Sequence, residues 1–380
     1  MAADRSVVIW RSALLAASET FVRDQGDGLA RWRPTYVGAT RTASTLARES
    51  DVIVFPDTAA GRGAFLRLRL TGDSPRLRRA LAAVRPRLVH AHFGGDGWLV
   101  SRSAGQLGVP LIVTLHGHDV TRQPETRGLK GVRYRRNLRT VFDRATMIIA
   151  VSEAIRTKAI ERGADPAKVR VHHTGVPIPA DAPAVPKRWD VVFVGRFIEK
   201  KGIDDLLGAL AQLGPGPKAL FIGTGPLEQR MRERAAALRV NATFLGVQPS
   251  DAVRRYVAES RVLAAPSKTA RDGDREGLPT TLLEAAALGV PVVSTRHSGI
   301  PEAVVHGRTG LLGAEAAPGE LAGNISSLLA DEALRARLGR QARRHAAARF
   351  DLARQTRILE QLYDVVAVGD ARPAPASSQG

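Results

Sequence analysis

Short apolar runs alternate with helix-patterned stretches along the whole chain, and that alternation limits the folds open to it. In the first half the runs are VVIW (7–10), TYVGA (35–39), VIVF (52–55), LVHAHF (88–93), LIVTLHG (111–117) and MIIAVS (147–152). In the second half they are VVFVG (191–195), ALFIG (219–223), ATFLG (242–246), VLAAPS (262–267) and VPVVST (290–295). Most are apolar on both faces and rich in Val and Ile, as parallel strands covered on both sides by helices must be. Helical stretches of roughly 10–15 residues separate them, which makes βαβ units.

The stretch VPIPADAPAVPKR (176–188) breaks the alternation with four prolines and no helical period. It reads as an interdomain linker, and strands resume directly after it. The expected fold class is α/β, with two doubly wound, Rossmann-like domains over residues 1–180 and 181–349. The end, GDARPAPASSQG (369–380), reads as a disordered tail. Ligands of open parallel sheets bind at the carboxyl ends of the strands. With two such sheets, the cleft between them is the expected active site.

Composition excludes several classes of chemistry. There is no cysteine, so disulfides, thiol catalysis and Cys-ligated metals are out. No apolar run reaches the ~18 residues of a membrane span. MAADRSVVIW lacks the apolar core of a signal peptide, and a cytoplasmic address is expected. The net charge is +19, and residues 1–180 hold 29 Lys/Arg against 15 Asp/Glu. Two segments concentrate the cations, GRGAFLRLRLTGDSPRLRRALAAVRPR (61–87) and LKGVRYRRNLR (129–139). Such segments suit an anionic partner. Aromatics are only 5% and rarely interleave with these cations, which argues against nucleic acid.

Polar residues cluster just past the predicted strands. VVFVGRFIEKKGIDDLL (191–207) places Arg196, Lys200 and Lys201 beyond a buried strand, where they could clamp a phosphate. Gly223 and Gly225 in IGTGPLEQ permit a tight turn, although a full Gly-x-Gly-x-x-Gly is absent. In EGLPTTLLEAAALGVPVVS (276–294), Pro279 suits a helix start and Gly289 a helix end. The amino end of that helix is an anion site, spanning Gly277, Leu278, Pro279 and Thr280. Glu276 precedes it, and Glu284 lies in its apolar run, where a carboxylate wants donors such as paired sugar hydroxyls.

In the first domain, HGHD (116–119) ends a strand with His116 and Asp119 facing the same cleft. Ser18 reads as the N-cap of a helix following the first strand, with Glu19 beside it. His90 and His92 share a strand face but lack a third ligand at metal-site spacing, and no metal is expected there. Asp272-Gly273-Asp274 reads as loop polarity partly neutralised by Arg275.

Taken together, the Glu276/Glu284 pair, VGRFIEKKG, GTGP, APS (265–267) and HGHD resemble the family-four retaining glycosyltransferases of the GT-B fold. The resemblance covers roughly residues 6–366, and it implies that a helix over 350–366 rejoins the first domain. It implies a nucleotide diphosphate sugar on the second domain, with uridine and guanosine donors both open. Glu284 would bind the ribose hydroxyls, and Gly223 and Gly225 would lie along the donor. Glu276 and the amides from Gly277 to Thr280 would hold sugar and phosphate. Arg196 and Lys201 would offset charge on the leaving diphosphate. His116 would touch the donor sugar from the opposite domain, and no cofactor or metal would be needed.

SETFVRDQ, VHAHFGGDG and HHTGVP further resemble transferases of bacterial exopolysaccharide and lipopolysaccharide assembly. That implies a lipid-linked or glycan acceptor at the inner membrane surface, with Ser18, Glu19 and Asp119 as candidate acceptor contacts, Asp119 orienting either the strand end or the acceptor. The basic segments would meet the anionic lipid. The alternatives are a sugar-nucleotide epimerase of the same fold and a polyanion-binding protein.

Overall fold

The computed structural model describes residues 5–16 and 19–369. The expected tail and Ser18 therefore lie outside the described residues, apart from Gly369. The first domain is built on seven strands: β1 (Ser6–Leu14), β2 (Arg33–Arg41), β3 (Val52–Ile53), β4 (Leu88–His92), β5 (Leu111–Leu115), β6 (Met147–Ala150) and β7 (Val169–Val171). They pair in the order β3-β2-β1-β4-β5-β6-β7. The second domain has six: β8 (Trp189–Val194), β9 (Ala219–Ile222), β10 (Ala242–Gly246), β11 (Ser260–Ala265), β12 (Val292–Thr295) and β13 (Gly310–Gly313). Their order is β10-β9-β8-β11-β12-β13. Every neighbouring pair in both sheets is parallel.

The central strands β4, β5 and β6 are buried throughout, because helices cover both faces. Helices over Gly94–Gln106 and Gly128–Arg144 lie on one face of the first sheet. The last helix, Leu352–Gly369, lies on the other. Its Leu359 and Tyr363 join Val7, Ile9, Leu88 and Ile112 in one apolar cluster. Burying a side chain such as Leu359 stabilises by about 2 kcal/mol. Trp32 Nε1 bonds Asp364 at 3.0 Å, which ties this helix to the start of β2. The chain thus crosses twice between the domains, at Val176 and at Asp351, and the crossings pair with each other: Val176 N–H donates to Phe350 O at 2.8 Å, and Leu352 N–H to Val176 O at 3.0 Å.

The strand-to-helix turns of both sheets meet in the cleft. Gly117, at φ +128°, follows β5, and a Cβ there would lie 3.0 Å from the Gly277 nitrogen across the interface. A Cβ on Gly277 would overlap the His116 carbonyl oxygen, so the two loops approach as only glycine allows. Ser152 Oγ donates to Gly277 O at 3.2 Å, and Arg122 pairs with Asp272 at 2.7 Å.

Candidate active site

Four loops of the second domain converge around Glu276. Its carboxylate accepts from Lys201 Nζ at 2.7 Å, lies 3.7 Å from Lys200 Nζ and takes the Ser267 hydroxyl at 3.3 Å. Burial by itself opposes its ionisation, but Lys201 and Lys200 outweigh that and hold its pKa at about 2. Glu276 is therefore a fixed anion at neutral pH and cannot serve as an acid. Its backbone N–H donates to His297 Nε2 at 3.1 Å. His297 must then carry its proton on Nδ1, which meets Glu315 at 2.7 Å.

Lys200 also holds Asp274 at 3.1 Å, and Arg122 holds Asp272. The expected partner of this loop, Arg275, is exposed and makes no ion pair with a described residue; Lys200 and Arg122 hold the two carboxylates instead. Among the described residues no cluster of His, Asp or Glu could hold a metal ion.

Arg196 differs from these cations. It is exposed, just past the end of β8, and makes no ion pair with a described residue. The glycines expected along the donor have a different immediate contact. A Cβ on Gly223 would strike the Gly195 carbonyl, and one on Gly225 would lie 2.6 Å from the Phe197 carbonyl oxygen. Their close approach is to the loop that carries Arg196, so they position it.

The helix Thr280–Ala287 has Pro279 as its N-cap, with no side-chain cap bond to its first amides. Those N–H groups and the positive end of the helix are open to an anion. Leu278 and Gly277 are buried beneath them. Glu284 sits one turn further on, and its carboxylate accepts no hydrogen bond from a described residue. Burial raises its pKa, Arg254 counters and Asp24 of the first domain adds to the rise.

Across the cleft, the His116 ring is flanked by Phe93, Phe21 and His92, with centroids 4.4, 5.0 and 5.3 Å away. Burial pushes its pKa well below the usual range, helped by Arg11, so the ring is neutral. Asp119 was expected to orient the strand end or the acceptor. It is 1% exposed, and its carboxylate accepts the N–H groups of Gly117 at 2.9 Å and of His116 and Gly94 at 3.2 Å, so it holds the strand end. It caps the helix Gly94–Gln106, whose own N-cap, Phe93, has no side chain able to do so.

Glu19 also departs from expectation. It is the N-cap of the helix Thr20–Asp27, a place assigned to Ser18 by sequence, and it makes no side-chain cap bond there. Its carboxylate is held by Arg11, which also pairs with Asp96 and lies 4.3 Å from the Phe93 ring centroid. Burial disfavours the Arg11 charge, but Asp96 and Glu19 overcome this and raise its pKa. Sequence reading missed Arg11 and Asp96. An arginine inside an apolar strand and an aspartate in the first turn of a helix were the available signals.

A fold with two parallel sheets and a shared cleft at their carboxyl edges is that of the GT-B glycosyltransferases. The structure of Anabaena Alr3699/HepE in complex with UDP is similar at a TM-score of 0.78 and 21% identity, covering 95% of this chain and 100% of that one. Residues 178–345 match the family described as glycosyl transferases group 1, and residues 18–178 match glycosyltransferase family 4. The chain belongs to this family of glycosyltransferases. It is 31% identical to the amylovoran biosynthesis glycosyltransferase AmsK of Erwinia amylovora, over 64% of this chain and 61% of that one. It is 32% identical to a relative from Escherichia coli K12 named for colanic acid biosynthesis, over 58% of this chain and 56% of that one. The chain thus spans less than two thirds of the length of these relatives.

Proposed function

We propose that the protein is a retaining glycosyltransferase that moves a hexose from a nucleotide diphosphate sugar to an acceptor in cell-surface polysaccharide assembly. One observation carries this reading. An uncapped helix amino end lies in the cleft, with the Arg196 cation, unpaired among the described residues, and the Glu284 carboxylate on the same domain. Together they offer amides and a guanidinium for a diphosphate and an acceptor for ribose hydroxyls. The Anabaena structures contain UDP and, in one case, UDP-glucose, which supports a donor of this class. AmsK supports exopolysaccharide as the product class.

In this reading the acceptor hydroxyl attacks the anomeric carbon from the face the diphosphate leaves. The bond from that carbon to the phosphate oxygen breaks, and the departing oxygen takes the hydroxyl proton. No side chain need act as base. Arg196 stabilises the charge that builds on the leaving group. Lys201 is bound to Glu276, so it acts as part of a neutralised pair beneath the phosphate.

The acceptor side falls to the first domain. A cavity of about 420 Å³ opens beside Gly94 and Gly95, lined by Leu66, Leu70, Trp98, Tyr134, Lys130 and Arg133. Leu66, Leu70, Leu129 and Val132 expose large apolar surfaces among these cations. Such a face suits a lipid-linked acceptor at an anionic membrane surface. A larger hollow of 630 Å³ around Pro110 and Leu111 lies at the opposite, amino edge of the sheet, away from the site.

The test is calorimetric titration with UDP, GDP and their hexose conjugates, followed by product analysis with lipid-linked acceptors. Arg196→Ala and Glu284→Ala should each weaken nucleoside diphosphate binding, by about 10-fold or more for the arginine. Unchanged binding in both variants refutes the donor site. Epimerised sugar in place of a new glycoside refutes transfer.

A further inference from the structure

His92 is buried to 1% exposure at the end of β4, directly behind His116. Its Nδ1 lies 3.1 Å from His116 Nε2, a hydrogen bond between two imidazoles. Its other nitrogen, Nε2, is buried and has no hydrogen-bond partner among the described residues. Burial pushes both rings well below the ordinary histidine range, so each carries one proton.

These facts leave two arrangements. If His116 donated from Nε2, His92 would accept at Nδ1 and carry its own proton on the buried, partnerless Nε2. An orphaned buried donor is the costlier and rarer defect. If His92 donates from Nδ1, its Nε2 is only a bare lone pair. The second arrangement places the His116 proton on Nδ1. No described residue hydrogen-bonds that atom, and His116 is half-buried rather than fully enclosed.

We propose that His92 is a positioning residue which, by donating from Nδ1 to His116 Nε2, fixes His116 as an Nδ1–H donor toward a hydroxyl oxygen of the bound sugar. The neighbouring groups hold this arrangement. Phe21 and Phe93 clamp the His116 ring, and Asp119 fixes its backbone N–H. His90 stacks on His92 at 4.5 Å but takes no part in the chain, because its nitrogens bond Tyr363 and Thr114 at 2.6 and 2.7 Å. The sugar as the group that receives the proton rests on the donor reading above; the tautomer does not.

The test is long-range ¹H–¹⁵N correlation on protein labelled in histidine, with His116 assigned from the spectrum of His116→Gln. The two neutral tautomers give distinct nitrogen shifts. His116 should show Nδ1–H in the wild type and in His92→Asn, whose amide can donate from the same branch. His92→Leu should lose that preference. With the best nucleotide sugar, His92→Leu should lower kcat about 10-fold, the worth of one lost hydrogen bond. Binding of the nucleoside diphosphate should stay within about twofold, and His92→Asn should recover most of the rate.

An Nε2–H tautomer of His116 in the wild type overturns the proposal. So does a fall in kcat in His92→Leu with an unchanged His116 spectrum, since that marks a merely structural role. Should His92→Leu fail to fold, the wild-type and Asn spectra decide. If no nucleotide sugar is turned over by the wild type, the donor reading fails, while the spectra still judge the tautomer.

Discussion

Glu276→Gln isolates the electrostatics at the centre of the site. The wild-type carboxylate has a pKa of about 2, against 4.5 for an unperturbed glutamate. At about 1.4 kcal/mol per unit, its ionised form contributes about 3 kcal/mol to folding at pH 7. Because the folded-state pKa is depressed, this stability is complete above pH 4.5 and is lost as pH falls toward 2. At pH 3 the same two pKa values leave about 1.4 kcal/mol. The glutamine keeps the shape and a hydrogen-bonding oxygen for Lys201 but has no charge to lose. The stability difference between wild type and variant should therefore shrink by about 2 kcal/mol between pH 7 and pH 3. Urea unfolding at several pH values, read by circular dichroism, measures that difference. A pH-independent gap would refute the ion-pair account, because removal of hydrogen bonds alone has no such dependence. A gap that widened on acidification would mean that the carboxylate is destabilised by burial and that the lysines do not dominate.

Gly277→Ala should destabilise by about 1–3 kcal/mol, because its Cβ would overlap the His116 carbonyl oxygen. Gly216→Ala, at a position with nothing within 4 Å, should leave thermal unfolding nearly unchanged. Glu19→Ala should cost about 3 kcal/mol by leaving Arg11 with one carboxylate partner in a buried setting, again read by thermal unfolding. Chelation with EDTA should leave turnover intact, and Asp272→Asn should change it by less than about threefold, since Asp272 already pairs with Arg122 at the surface. Loss of activity with EDTA, restored by a divalent cation, would overturn the metal-independent reading.

The fold was legible because its signal is local. β4, β5 and β6 are buried on both faces, and a run such as LIVTL has no other stable setting in an α/β chain. The two strands that escaped notice, β7 and β13, fail that test for physical reasons. β7 has three residues with Arg170 exposed in the middle, and β13 is two leucines between glycines; both lie at sheet edges, where pairing on one side suffices. The places of the site residues were legible for the same reason, since loops after parallel strands face the cleft whatever they contain. Their partners were not. Lys201 and Glu276 meet through adjacent crossovers of one sheet, and Arg11 finds Asp96 because β1 pairs with β4 rather than with its next neighbours in sequence alone. No local spacing encodes those choices. Asp119 lies between the two cases. A carboxylate two residues after Gly117 at a strand end is well placed to turn back onto the preceding amides. The sequence left two roles open, the strand end or the acceptor, because a polar residue in a cleft loop has two equally local explanations. The hydrogen-bond geometry chooses between them: with three N–H groups on one buried carboxylate, Asp119 builds the platform on which His116 stands.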